Sequence, residues 1–197
     1  MTSLVLPRVT GVLKAVNLID DRWFTEEARN RGTAVHLALG YHAEHDLDWK
    51  SVADSIKPYV EAGILFLEDS KAVIEGAEIE VLNERYGYVG HPDLVGIFFG
   101  DPAIPDYKSG SVDPDVAGVQ TAAYELAIGA PEGAAAWRRF AVKLKNTGKY
   151  SLVHLDRREN GFIDRQRWLA TLDLYNAFIA PRRRRTTEQE EPHAAIA

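Results

Sequence analysis

The chain has 197 residues, no cysteine and a formal net charge of −6 at neutral pH. That length holds one domain with a sizeable core, and the absence of cysteine excludes disulfides and thiolate-bound zinc and fits a cytoplasmic protein. No apolar run approaches a membrane span, and the opening MTSLVLPRVTG has neither a charged start nor a long apolar core, so neither a spanning helix nor a signal peptide is expected.

Residues 10–18 (TGVLKAVNL) carry apolar side chains at helical spacing, with Thr10 as the expected N-cap. Residues 20–23 read as a loop. Thr25 then caps a second helix with Glu26 and Glu27 in its first turn, running through Arg31 and His36 to Tyr41. Taken alone, His36 reads as a partly buried helix histidine. His42, His45, Glu44, Asp46 and Asp48 read as a solvated, acidic helix end rather than a metal cluster. Asp48 is expected to cap a helix over residues 50–67, bent or interrupted near Pro58.

Three strands and two turns follow, and they carry the chemistry. Residues 72–82 (AVIEGAEIEVL) and 89–99 read as strands joined by a turn at residues 83–87; residues 103–108 read as a further strand after the turn Gly100, Asp101, Pro102. Folding about Phe99 and Gly100 sets Asp93 opposite Asp106, and strand alternation puts Lys108 on the face of Asp106. Folding about Arg85 and Tyr86 sets Glu78 opposite Asp93, and Glu80 opposite His91 on the same face, so either glutamate can be the active acid. Carboxylates and an ammonium on an apolar sheet are costly to bury without a purpose. Such oxygen donors suit Mg²⁺ or Mn²⁺, beside which a lysine can help water attack a phosphodiester.

Asp113 and Pro114 read as an N-cap and first-turn proline of a helix ending near Ile128, on which Gln120 and Tyr124, four apart, share a face. Residues 137–145 (WRRFAVKLK) alternate into a strand with a basic face of Arg139, Lys143 and Lys145. That face reads as a charged edge, a phosphate contact, or both. A turn at residues 146–148 leads to a return strand at residues 150–155. Residues 163–179 form a closing helix with Trp168, Leu169, Leu172, Tyr175 and Phe178 as its apolar stripe. Residues 181–197 read as a charged, disordered tail. An acidic balance counts against phosphate binding, but bases gather at residues 138–149, 157–158 and 182–185.

In order, RGTAVH ending at His36, Glu78, GHPD ending at Asp93, DYKSG from Asp106, and QTAAY from Gln120 to Tyr124 resemble the PD-(D/E)XK nuclease superfamily, and more narrowly its RecB-like and phage-type exonuclease branch. Each piece is weak alone; their number and order carry the resemblance. It implies an α/β fold with a restriction-endonuclease-like core, a central mixed sheet of about five strands flanked by helices on both faces, within a nuclease domain over residues 1–180. The implied activity is metal-dependent hydrolysis of DNA phosphodiesters from an end, in recombination, repair or phage DNA processing. By the resemblance, Asp93 and Asp106 hold one or two Mg²⁺ or Mn²⁺ ions, the Tyr107 carbonyl adds a ligand, and His36 approaches beside Asp93. Glu78 completes the catalytic set, Lys108 positions water, and Arg31, Gln120 and Tyr124 support the site or bind substrate. The iron–sulfur cluster that some relatives hold through cysteines is excluded. The implied partner is linear DNA, single- or double-stranded, in a bacterial or phage-infected cytoplasm, with a homo-oligomer or a recombination partner protein left open. A structure-specific or nicking endonuclease on the same fold is the nearer alternative. A non-catalytic DNA-binding subunit is the other, and intact Asp93, Asp106 and Lys108 argue against it.

Overall fold

A five-stranded sheet in the order β1-β4-β5-β6-β7 forms the centre of the computed structural model, which describes residues 6–19, 25–156 and 161–180. Its strands are β1 (Val73–Ala77), β4 (Leu94–Phe98), β5 (Asp101–Lys108), β6 (Arg138–Leu144) and β7 (Tyr150–His154). All neighbours are antiparallel except β5 and β6, whose parallel pairing is bridged by the helix α4 (Pro114–Ile128), as a parallel crossover requires. A separate two-stranded sheet pairs β2 (Val81–Asn83) with β3 (Tyr88–Gly90). The mixed five-stranded α/β sheet with helices is thus the expected architecture.

Alternation along the strands builds two cores. Phe98, Ala103, Tyr107, Phe140 and Val142 pack against α2 (Glu26–Ala43) and α3 (Lys57–Asp69), with Phe66 stacked on Phe98. On the opposite face Val95 and Ile104 meet α1 (Val9–Ala15), α4 and α5 (Phe162–Leu174), where Tyr88 and Trp168 meet edge to face. Burying such aromatics contributes about 1.5–3 kcal/mol each. Among the described residues, no helix is long and apolar enough to cross a membrane.

The hairpin registers agree with the sequence reading. Gly96 faces Ala103, so the ladder extrapolates to Asp93 opposite Asp106, and Val81 faces Gly90, as folding about Arg85 and Tyr86 requires. The long strands, however, break. Residues 72–82 divide into β1 and β2 at Glu78, which has a left-handed φ of 50°. Residues 89–99 divide at 91–93, so each run serves both sheets. An irregularity between Ile74 and Gly76 shifts the β1–β4 pairing by one residue, which brings Glu78 into line with Asp93.

Several boundaries differ from expectation. Arg8, not Thr10, occupies the α1 N-cap, leaving Thr10 within the first turn. Thr25 does cap α2, accepting from the Ala28 amide at 3.1 Å. Asp48 caps only a 3₁₀ turn, Trp49–Ser51, and α3 starts afresh at Lys57 with Pro58 in its first turn, where a missing N–H costs nothing. Asp113 caps α4 through the amides of Asp115 and Val116, as expected. The closing helix gives way to a π turn at Tyr175–Ile179, and Phe178 is 80% exposed rather than core. The expected loop at 20–23, the basic pair at 157–158 and the tail at 181–197 lie outside the described residues.

Candidate active site

The breaks in the two long strands open one end of the sheet, and α2 reaches over it. Gly32, His36 and Gly40 fall on one face of α2 at steps of four residues, and all three line a cleft of about 720 Å³. The bare Gly40 lies against the Glu78 side chain, so the helix passes close enough for His36 to meet the sheet. His36 Nδ1 stands 3.0 Å from Asp93 Oδ1 and 3.8 Å from Glu78 Oε1. One donor atom each from His36, Glu78 and Asp93 lies within 4.8 Å of the others, a spacing that can hold a metal ion.

Asp93 is buried and fixed from its other oxygen, since Oδ2 accepts from the Tyr107 amide at 2.6 Å. A strand residue turns its N–H and C=O toward the same neighbour, so the Tyr107 carbonyl is also directed toward the Asp93 side. The Tyr107 side chain serves the core instead, edge-on to Phe66 and His36. Asp106 is 1% exposed; Oδ2 is 2.5 Å from Lys108 Nζ, while Oδ1 is buried with no hydrogen-bond partner. Lys108 Nζ also donates to Gln120 Oε1 at 3.2 Å, and Gln120 Nε2 donates to the Tyr124 hydroxyl at 2.9 Å. Gly90 allows this: a Cβ there would fall 2.6 Å from the Tyr124 ring.

The charges brace one another. Burial works against His36 carrying charge, but Asp93, helped by Glu78 and Asp106, outweighs it and pushes the imidazole up to about 10. Burial likewise resists ionisation of Asp93, yet His36 and Lys108 hold it below the ordinary carboxylate range. Asp106 is pushed up, by burial first and also by the like charge of Asp93, against the pull of Lys108. Burial disfavours the Lys108 ammonium, but Asp106 and Asp93 keep it above the ordinary lysine range.

The structure therefore gathers Glu78, Asp93, Asp106, Lys108, His36, Tyr107, Gln120 and Tyr124 at one place. Arg31 is not among the residues lining the cleft; its guanidinium lies over the Tyr59 ring at 5.3 Å. Glu80 pairs with His91 at 3.3 Å, as the register required, and only His91 of that pair lines the cleft, so Glu78 is the glutamate of the donor group. The basic face of β6 is corrected in part: β6 lies between β5 and β7, so it is no edge, and Arg139 is 1% exposed, where Asp164 and Glu125 pair with it and the Gly118 carbonyl accepts from it, whereas Lys143 is half-buried and Lys145 exposed. A phosphate cannot reach Arg139. Thr10, Lys14, Leu37, Tyr41 and Glu44 also line the cleft, and sequence reasoning assigned none of them to the site, reading Thr10 as a cap and Glu44 as part of a solvated helix end. Projecting the helix outward from His36 in steps of one and four finds three of these, Leu37, Tyr41 and Glu44.

No protein-family model matches this sequence, and no curated protein matches it.

Proposed function

We propose that the chain is a Mg²⁺- or Mn²⁺-dependent deoxyribonuclease of the PD-(D/E)XK type, acting as an exonuclease on linear DNA. One observation carries this reading: Asp106 Oδ1 is buried without a partner, next to Asp93, in a cluster that opens on a cleft. A buried carboxylate oxygen left unanswered is costly unless a ligand completes it. The donor set fits a divalent cation: one atom each from His36, Glu78 and Asp93 lies close enough to share an ion, and Asp106, which feels the like charge of Asp93, adds a further carboxylate beside them. Carboxylates suit Mg²⁺ and Mn²⁺, and the imidazole tilts the set toward Mn²⁺. When bound, such an ion neutralises charge on the scissile phosphate and makes water a better nucleophile.

The chain's own residues do the rest. Asp93, fixed by His36 and the Tyr107 amide, and Asp106 present their oxygens at set positions. Glu78 supplies a third carboxylate at the mouth, where its side chain is 44% exposed. Lys108, steadied by Asp106 and Gln120, keeps its proton, so it acts by donation: it orients water and a phosphate oxygen and offsets negative charge in the transition state. Tyr124 holds Gln120, and through it Lys108.

The end-directed activity rests on the resemblance of RGTAVH, Glu78, Asp93, DYKSG and QTAAY to the exonuclease branch rather than to site-specific restriction enzymes. The absence of cysteine fits a reducing, cytoplasmic setting. The test uses matched linear, nicked and closed circular DNA with Mg²⁺, Mn²⁺ or EDTA. Shortening of linear DNA that stops with EDTA and spares the closed circle is expected. Rapid linearisation of the closed circle would assign an endonuclease instead, and cleavage that persists in EDTA would refute the metal dependence.

A further inference from the structure

The cleft wall carries two large, exposed side chains to which the proposed chemistry assigns no role. Leu37 and Tyr41 sit one turn apart on α2, beside His36, and line the cleft while remaining 56% and 44% exposed. Large apolar side chains exposed together in a concave polar site mark a place where a partner group is received. Several observations narrow that group. Tyr41 is five residues from His36, about 7.5 Å along the helix axis, so a base attached near a phosphate held at Asp93 comes within its reach. The cleft volume of about 720 Å³ corresponds to a cube with an edge of about 9 Å, room for single nucleotides rather than for the full thickness of a duplex. Glu44, exposed on the cleft wall and outside the donor group, disfavours the phosphates of a second strand.

Resting on the nuclease reading, we propose that Leu37 and Tyr41 form an apolar ledge on which an unpaired nucleobase of the substrate strand stacks, so that the site takes a single-stranded or frayed end rather than paired duplex. The phenol face and the leucine side chain contact the π-face of the base, which every base presents, so the ledge selects unpaired strand without selecting sequence. The phosphate next to that base then lies toward His36 and Asp93, which sets the ledge as a specificity device and leaves the chemistry to the acids and Lys108.

The test measures binding with Ca²⁺ in place of Mg²⁺, and cleavage with Mn²⁺, for wild type, Tyr41→Ala, Leu37→Ala, Tyr41→Phe and the remote control Phe178→Ala. The probes are a single-stranded oligonucleotide carrying 2-aminopurine, the same strand with abasic residues at its end, and a blunt duplex. Stacking on an aromatic is worth a measurable share of single-strand affinity, so Tyr41→Ala is expected to weaken single-strand binding by about five-fold or more. Its 2-aminopurine quenching should fall, Leu37→Ala should follow in the same direction, and Tyr41→Phe and Phe178→Ala should behave as wild type. The Tyr41→Ala loss should vanish on the abasic strand. Unchanged single-strand binding in Tyr41→Ala, an equal loss on the abasic strand, or a blunt duplex bound as tightly as single strand would each overturn the ledge while wild-type cleavage leaves the nuclease reading standing. Failure of wild type to cut any of these DNAs would overturn both.

Discussion

Asp106 and Arg139 lie on neighbouring strands, on the same face of the sheet, and each is 1% exposed, yet their surroundings differ in kind. Around Arg139 the structure closes. Its guanidinium donates to the Gly118 and Leu155 carbonyls and pairs with Asp164 and Glu125, and Arg165 adds a second cation to Glu125. Gly161 is required there, because a Cβ at its φ of 75° would fall 2.4 Å from the guanidinium. Around Asp106 the structure opens: one oxygen meets Lys108, the other meets nothing, and the neighbouring Asp93, Glu78 and His36 line a cleft. Buried charge whose every carboxylate oxygen faces a cation, even at the 3.4 Å of Arg139 Nε and Glu125 Oε2, holds the fold together. Buried charge with an oxygen left over, beside further acids and an open cleft, is charge held ready for a ligand. Desolvation is paid in both places, but only the first recovers it within the chain.

Substitutions should separate the two clusters. The largest effect is expected for Asp106→Ala, which should abolish cleavage and weaken Mn²⁺ binding while the folded state persists, as calorimetry and circular dichroism would show. Unchanged Mn²⁺ affinity would remove Asp106 from the site. In the closed cluster, Arg139→Ala should cost about 3–5 kcal/mol in urea unfolding by taking the buried cation from Asp164 and one of two cations from Glu125, while the protein that remains folded still binds Mn²⁺. Lys108→Ala should lower kcat about 10²–10³-fold, the usual cost of losing one preorganised donor, with DNA and Mn²⁺ binding retained. A wild-type rate in that variant would make Lys108 structural.

The smallest effect concerns pH. The His36 pKa rises from 6.5 to about 10 in the folded protein, so its ion pair with Asp93 stabilises fully below 6.5 and is lost as pH climbs to about 10. Metal-free wild type should therefore lead His36→Gln in melting temperature most clearly at pH 6 and lose that lead by about pH 10. A constant difference across the range would mean that His36 contributes through packing alone.

Much of the open cluster was legible because strand pairing is arithmetic. Once the turns at Phe99–Gly100 and Arg85–Tyr86 are fixed, Asp93, Asp106 and Glu78 converge, and alternation supplies Lys108. Helix spacing supplied Gln120 and Tyr124. The breaks in the strands were hidden because Ile79, between Glu78 and Glu80, continues the alternation, and because a left-handed glutamate, Glu78, carries no glycine to announce it. The closed cluster was hidden for a different reason. Arg139 alternates with apolar neighbours like any edge residue, and only the approach of Gly118, Gly161 and Asp164 from two other helical segments turns it inward. Local pattern reports which face a side chain takes; it does not report what the distant chain brings to that face.

The central claim, that the Asp93–Asp106 cluster is a cation site and the Arg139 cluster is not, is tested most directly by thermal unfolding with and without Mn²⁺ for wild type, Asp93→Asn and Asp164→Asn. At an ion concentration about 100 times its Kd, binding adds about 2.7 kcal/mol, or roughly 5–10 °C for a protein of this size. Asp164→Asn should start from a lower melting temperature and rise with Mn²⁺ as far as wild type does, whereas Asp93→Asn should not respond. A full Mn²⁺ shift in Asp93→Asn, or its loss in Asp164→Asn, would contradict the account.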